Sequence, residues 1–231
     1  MITKPIVWYL RTWDKIAAQR PDAYVAISQE VKKRIEKYYG RDSEVIYPAI
    51  ELKHDVRRTT YDVRKDEGYF LVASRLSRFT AYKRVDIAIQ AANALSIPLK
   101  IIGTGRDLKY FKKMAKSNVE FLGNVSDEEL AKHYSGCTAL IFPGIEDFGL
   151  VMGEAQLFGK PVIAYRGGGA LELIVEGKTG EFFDTQNYRS LMKALEKFNP
   201  LQYNSNDCRK NAERFSYRQF EQSLRKCINT M

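Results

Sequence analysis

IFPGIEDFGLVMGEAQLFGKPVIAYRGGGALE, residues 141–172, is the stretch on which the fold turns. The apolar run 139–142 reads as a buried strand that Pro143 and Gly144 stop. LVMGEAQLFG then has the character of a helix, which Gly159-Lys160-Pro161 ends. Glu146 and Glu154 therefore bracket a strand-to-helix turn. Backbone N–H groups near Phe148, Gly149, Leu150 and Val151 fall at a helix start, where they lack intrahelical acceptors and the helix dipole favours an anion. An ionised carboxylate only accepts hydrogen bonds, so each glutamate can receive hydroxyl groups on either side of that anion position. The segment offers places for a phosphate, a hexose and a ribose.

Working outward, the same alternation repeats. YFLVASR (69–75), LKIIG (99–103), VEFLG (119–123), PVIAY (161–165) and GEFF (180–183) read as further strands. KRVDIAIQAANAL (83–95), DLKYFKKMAK (107–116), DEELAKHYSG (127–136) and ALELIVEG (170–177) read as helices, with Ser126 and Glu129 forming a capping box. Strands alternating with helices of about ten residues predict an α/β fold, a Rossmann-like parallel sheet with helices on both faces. Ligands of such sheets lie beyond the carboxyl ends of the strands. Ser74 and Arg75, Gly103–Gly105, Gly123–Val125, Pro143–Glu146 and Arg166–Gly169 all fall there.

Upstream, residues 4–19 place Ile6, Leu10, Trp13 and Ile16 at helical spacing, an amphipathic helix expected to pack against protein rather than to anchor at a membrane interface. A strand at 23–28 follows, then a helix capped by Ser28 and Gly40 and a short strand at 44–48. Two helices and two strands bury too little to stand alone, so this region reads as the tail of a larger domain. The charged, aperiodic stretch 51–68 reads as a linker, and polar helices follow Asn187.

Composition narrows the function. The chain has 231 residues and a formal charge of +9, carried at its ends: nine Lys and Arg against four Asp and Glu in residues 1–41, six against three in residues 204–231. Scattered charges on solvated helix faces account for this, and no DNA or RNA motif accompanies them, so no nucleic-acid partner is expected. No apolar stretch approaches a membrane span of about 20 residues. The start lacks the features of a signal peptide, so the expected location is cytoplasmic. Cys137, Cys208 and Cys227 include no C-x-x-C pair, and His54 and His133 are the two histidines, which gives a disulfide framework or a metal cluster little to build on.

Arg75, at a strand end, and Lys83, at the next helix start, form a pair of cations able to hold a diphosphate and offset the charge that develops as it leaves. Arg78 and Arg84 compete for that role. Gly103-Thr104-Gly105 begins like a dinucleotide fingerprint, but Leu108 holds the third glycine position, which favours a tight turn instead. Gly167-Gly168-Gly169 suits either a close approach to a ligand or a flexible turn. Glu172 and Glu176 read as helix-surface or capping charges, and His133 as exposed. No Asp-x-Asp triplet occurs, so a metal-diphosphate clamp has no candidate.

SRLSRFTAYKRVD, KIIGTGRD, VEFLGNVSDEEL and FPGIEDFGLVMGEAQLFGKPVIAYRGGGALE together resemble the nucleotide-sugar-binding half of retaining GT-B glycosyltransferases of family 4 (glycosyl transferases group 1). The wording is most similar to WbaZ-like mannosyltransferases of polysaccharide assembly, over roughly residues 20–185. The resemblance implies hexose transfer with retention, from a nucleotide sugar with GDP-mannose favoured, to a glycan or lipid-linked acceptor, with no tightly bound metal or cofactor. It implies that Arg75 and Lys83 meet the donor diphosphate, Glu146 the sugar hydroxyls and Glu154 the ribose. Amides of Phe148, Gly149, Leu150 and Val151 would touch sugar and phosphate. Ser74 and Gly103 would line the donor site, and the Val125 backbone would meet the base. Residues 1–48 then correspond to the end of an N-terminal acceptor domain, 49–68 to a linker, 69–200 to the donor domain, and 201–231 to helices packing back on the first domain. The expected enzyme is a retaining hexosyltransferase, in contact with the inner membrane face if its acceptor is a lipid. The alternative is a catalytically incomplete binding module that needs a partner chain supplying the N-terminal half. Gly153 departs from the family, which often has a larger residue before this glutamate, and costs a helix interior about 1 kcal/mol.

Overall fold

A computed structural model describes residues 3–51, 66–78 and 83–230. Most of the linker reading, and Phe79 to Tyr82 of the cation-bearing loop, lie outside the described residues.

The chain opens with α1 (Thr3–Ala17), β1 (Val25–Ala26), α2 (Gln29–Tyr39) and β2 (Glu44–Val45). The Ser28 hydroxyl accepts from the Val31 amide and Gly40, at φ 64°, closes the helix, so both expected caps of α2 are present. β1 and β2 pair in parallel. The apolar side of α1 is exposed: Ile6, Tyr9, Leu10, Trp13 and Ile16 are each more than half exposed, between 54% and 63%.

Six strands follow: β3 (Phe70–Ala73), β4 (Leu99–Ile102), β5 (Val119–Gly123), β6 (Ala139–Phe142), β7 (Val162–Tyr165) and β8 (Gly180–Phe183). They form one parallel sheet in the order β5-β4-β3-β6-β7-β8. Between them run α3 (Val85–Leu95), α4 (Leu108–Met114), α5 (Asp127–Gly136), α6 (Leu150–Leu157) and α7 (Ala170–Leu173), and after them α8 (Tyr188–Lys197), α9 (Ser205–Glu213) and α10 (Tyr217–Thr230). The α/β expectation holds, including the Ser126–Glu129 capping box on α5.

Side chains alternate along each strand, so successive residues enter opposite cores. Leu71, Leu140, Val162 and Ala164 join Ala131, Tyr134, Met152, Ala155 and Leu173 under α5, α6 and α7. Val72, Ala139, Ile141 and Ile163 join Ile87, Ala91, Phe111, Leu191 and Leu195 under α3, α4 and α8. The helix read at 170–177 stops after Leu173. Ile174 turns into the core in an extended conformation and the Thr179 hydroxyl accepts from the Val175 amide, so the chain bends towards β8.

The two regions are joined by contacts from α2 and its flanks. Both Glu172 oxygens accept from the Gln29 amide at 3.0 Å, and Arg34 pairs with Asp147. Tyr47 stacks on Phe148 at 5.8 Å and meets Phe215 edge-on at 5.2 Å. α9 is held to α6 by Asn211, whose side-chain amide donates to Gln156 and to the Leu173 carbonyl.

Candidate functional site

β3 and β6 are hydrogen-bonded neighbours, yet the helix after β3 (α3) covers one face of the sheet and the helix after β6 (α6) the other. Their outgoing loops diverge at this switch in strand order and leave a crevice beyond the strand ends, the usual ligand position of an open α/β sheet. One loop carries Ser74, Arg75 and Lys83. The other carries Pro143 to Gly149.

Across the crevice the Lys83 ammonium forms an ion pair with Glu146 Oε1, the two side chains being 17% and 19% exposed. Burial, and then the nearby positive charge of Arg75, push the Lys83 pKa below the ordinary lysine value. The four candidate cations are sorted by their partners. Arg78 donates to Asp107 through both its amide and its guanidinium, and Arg84 grips Asp86 and the Gln186 carbonyl. Arg75, exposed at the end of β3, and Lys83 are the two gathered at the crevice.

α6 starts at Leu150, and Gly149 precedes it at φ 91°, a left-handed turn that suits glycine. The Phe148 side chain is buried against Tyr47 and Phe215, so only its backbone is available at the helix entrance. Gly168 and Gly169 explain the glycine run. A Cβ on Gly169 would lie 2.2 Å from the Phe148 carbonyl oxygen and one on Gly168 2.4 Å from that of Glu146; the Gly169 amide donates to the latter at 2.8 Å. These glycines hold the glutamate-bearing loop by direct backbone contact.

Gly103 and Gly105 act likewise on the other loop. Their Cβ atoms would fall 2.0 Å from the Ser74 carbonyl and 2.1 Å from that of Leu76. The G-T-G run thus lets the β4 loop pass against the backbone of Ser74 to Leu76, as a tight turn does. Val125, partly buried, packs on the core beside β5. Gly153 sits against Ile50, whose Cδ1 would be 2.0 Å from an added Cβ, so the missing side chain makes room for the segment entering the linker.

Glu154 lies one turn into α6. Its Oε2 accepts from the hydroxyl of fully buried Tyr134 at 2.8 Å. Burial raises the Glu154 pKa, the Tyr134 hydrogen bond opposes that rise, and Asp127 adds to it. One reading is sharpened and one changes. Glu172 is a capping charge, but for α2, 143 residues away, and with burial it pushes the Tyr47 phenol up. His133 is half-buried, its ring packed edge-on to Tyr69 rather than exposed. Among the described residues no group of three or more His, Cys, Asp or Glu comes together as a metal site, and no helix is long and apolar enough to cross a membrane.

A parallel sheet whose switch-point loops bring Lys83 and Glu146 together beside Arg75 has the architecture of an open α/β ligand-binding domain. The chain belongs to the glycosyl transferases group 1 family, whose model matches residues 58–215. It is 29% identical over 195 residues to an uncharacterised glycosyltransferase of Methanocaldococcus jannaschii, covering 82% of this chain and 53% of that protein. It is 32% identical over 157 residues to the GDP-mannose-dependent alpha-mannosyltransferase of Corynebacterium glutamicum, covering 67% and 36%. The fold matches Anabaena HepE, solved with UDP and glucose, at a TM-score of 0.77 and 22% identity over 96% of this chain and 67% of that one. The chain thus spans about half the length of the curated relatives it matches.

Sequence reasoning did not find Tyr134, Arg34 or Tyr47. Tyr134 carried a usable signal: a tyrosine on the apolar side of a helix needs a partner for its hydroxyl. Arg34 and Tyr47 carried none, because their partners, Asp147, Phe148 and Phe215, are far along the chain.

Proposed function

We propose that this chain is the donor-binding half of a retaining mannosyltransferase that uses GDP-mannose in polysaccharide or glycolipid assembly. The observation that carries the reading is the meeting of Lys83 and Glu146 beside Arg75 at the switch point. In this reading the donor diphosphate takes the two cations, the mannose hydroxyls take Glu146, and the ribose takes Glu154. The amides at the start of α6 donate to the remaining phosphate or sugar oxygens. The choice of mannose rests on the relatives named as mannosyltransferases.

Transfer with retention breaks the bond from C1 to the phosphate oxygen and forms the bond to the acceptor oxygen on the same face. The acceptor proton passes to the leaving phosphate. Arg75 and Lys83 stabilise the charge that grows on that leaving group, and no protein nucleophile is required. The exposed apolar side of α1 favours a second reading, in which an N-terminal half on another polypeptide covers it and completes the site.

The test is a transfer assay with GDP-mannose and glycan or lipid acceptors, run with the chain alone and with the N-terminal half of a full-length relative. α-Linked mannose in either reaction supports the proposal. A product of inverted configuration, or no transfer in either reaction, contradicts it.

A further inference from the structure

Tyr134 is fully buried near the end of α5, its ring stacked on Phe158 at 5.6 Å between centroids. Phe158 caps the far end of α6, so the tyrosine is locked against the helix that carries Glu154. Its hydroxyl reaches Glu154 Oε2 at 2.8 Å. The hydroxyl donates one hydrogen and the ionised carboxylate only accepts, so this contact is a charge-assisted hydrogen bond to the charged form. It occupies one carboxylate oxygen and fixes the plane of the group. Oε1 is not engaged by this bond and can accept from a ligand.

We propose that Tyr134 is a positioning residue for donor recognition: its buried hydroxyl holds Glu154 in one orientation, with Oε1 presented to the vicinal hydroxyls of the donor ribose. This rests on the reading of Glu154 as the ribose acceptor. Glu154 pays for its burial with a raised pKa, and the Tyr134 bond works in the opposite direction, so the same contact that orients the carboxylate favours its ionised state. Without the hydroxyl, Glu154 would turn freely between rotamers and take up a proton more readily, and both changes weaken its hold on a diol.

The experiment compares GDP and UDP with their 2′,3′-dideoxy analogues by calorimetry, using the full chain and its Tyr134→Phe and Glu154→Gln variants. Phenylalanine keeps the ring on Phe158 and removes one oxygen. In the wild type the diol should improve affinity about tenfold, the worth of a hydrogen bond to a charged group. In Tyr134→Phe the normal nucleotide should fall towards its dideoxy analogue, while the analogue binds as it does to wild type. Glu154→Gln keeps an acceptor for Tyr134 and should lose the same discrimination, with no further loss when Tyr134→Phe is added. Equal weakening of both ligands in Tyr134→Phe, or no change in either, overturns the positioning role. A wild type that binds nucleotide but ignores the ribose hydroxyls overturns the underlying assignment of Glu154 as well.

Discussion

Lys83 and Glu146 neutralise each other across the crevice between β3 and β6. A ligand that enters must replace each partner for the other. A diphosphate can do so for Lys83, and sugar hydroxyls for Glu146. A nucleoside diphosphate alone supplies only the first replacement, and leaves a carboxylate with little exposure lacking its cation.

The two glutamates should therefore respond to different parts of the donor. Glu146→Ala is expected to weaken GDP-mannose about tenfold and to leave GDP binding unchanged or tighter. Glu154→Ala is expected to weaken both ligands by about that factor, as the loss of a hydrogen bond to a charged group implies. Calorimetric titration of each variant with each ligand separates the roles, and equal effects of Glu146→Ala on the two ligands would count against them.

Gly169 tests whether the glycine run acts through backbone contact. An added Cβ meets the Phe148 carbonyl oxygen and Cα at 2.2 and 2.4 Å, and neither backbone atom can swing away. Gly169→Ala should cost about 1–3 kcal/mol in urea unfolding, and should weaken donor binding because the Glu146 loop must move. Gly177 also has a positive φ of 72° but has nothing within 4 Å of an added Cβ. Gly177→Asn should leave binding intact.

Burial of the Glu154 carboxylate opposes stability at neutral pH. Its folded-state pKa lies above the unfolded value because burial disfavours the charge. In the window between the two values the native state holds more protons than the unfolded chain, so native stability falls as pH rises through it. Glu154→Gln removes the buried charge and keeps an acceptor for Tyr134. Its melting temperature should exceed that of the wild type at neutral pH, with the gap closing as pH falls towards the carboxylate range. A gap that widens on acidification would show that Glu154 is instead stabilised in its charged form.

The strands and most of the helices were legible in the sequence because apolar runs, capping residues and glycines sit close together in the chain. Ser28, Gly40, Ser126 and Glu129 do what their local context implies. The order of the sheet followed only from placing the strands, and it makes the β3 and β6 loops neighbours. Long-range partners were not legible. Nothing near Arg78 in the chain announces Asp107, and nothing near Glu172 announces the Gln29 amide, because both pairings depend on how helices dock. Gly153 looked like a weak point in a helix; it is the notch that Ile50 fills. The spacing on α1 marked out an apolar side, and that side is exposed among the described residues.

The central claim, that Arg75, Lys83, Glu146 and Glu154 together form a grip for a sugar nucleotide, is tested most directly by titrating the full chain with GDP-mannose, UDP-glucose, GDP and UDP in a calorimeter. Saturable binding at one site per chain is predicted, tighter for GDP-mannose than for UDP-glucose and weakened about tenfold or more in Lys83→Ala. Well-folded protein that binds none of the four ligands, or binds them equally well without Lys83, would contradict it.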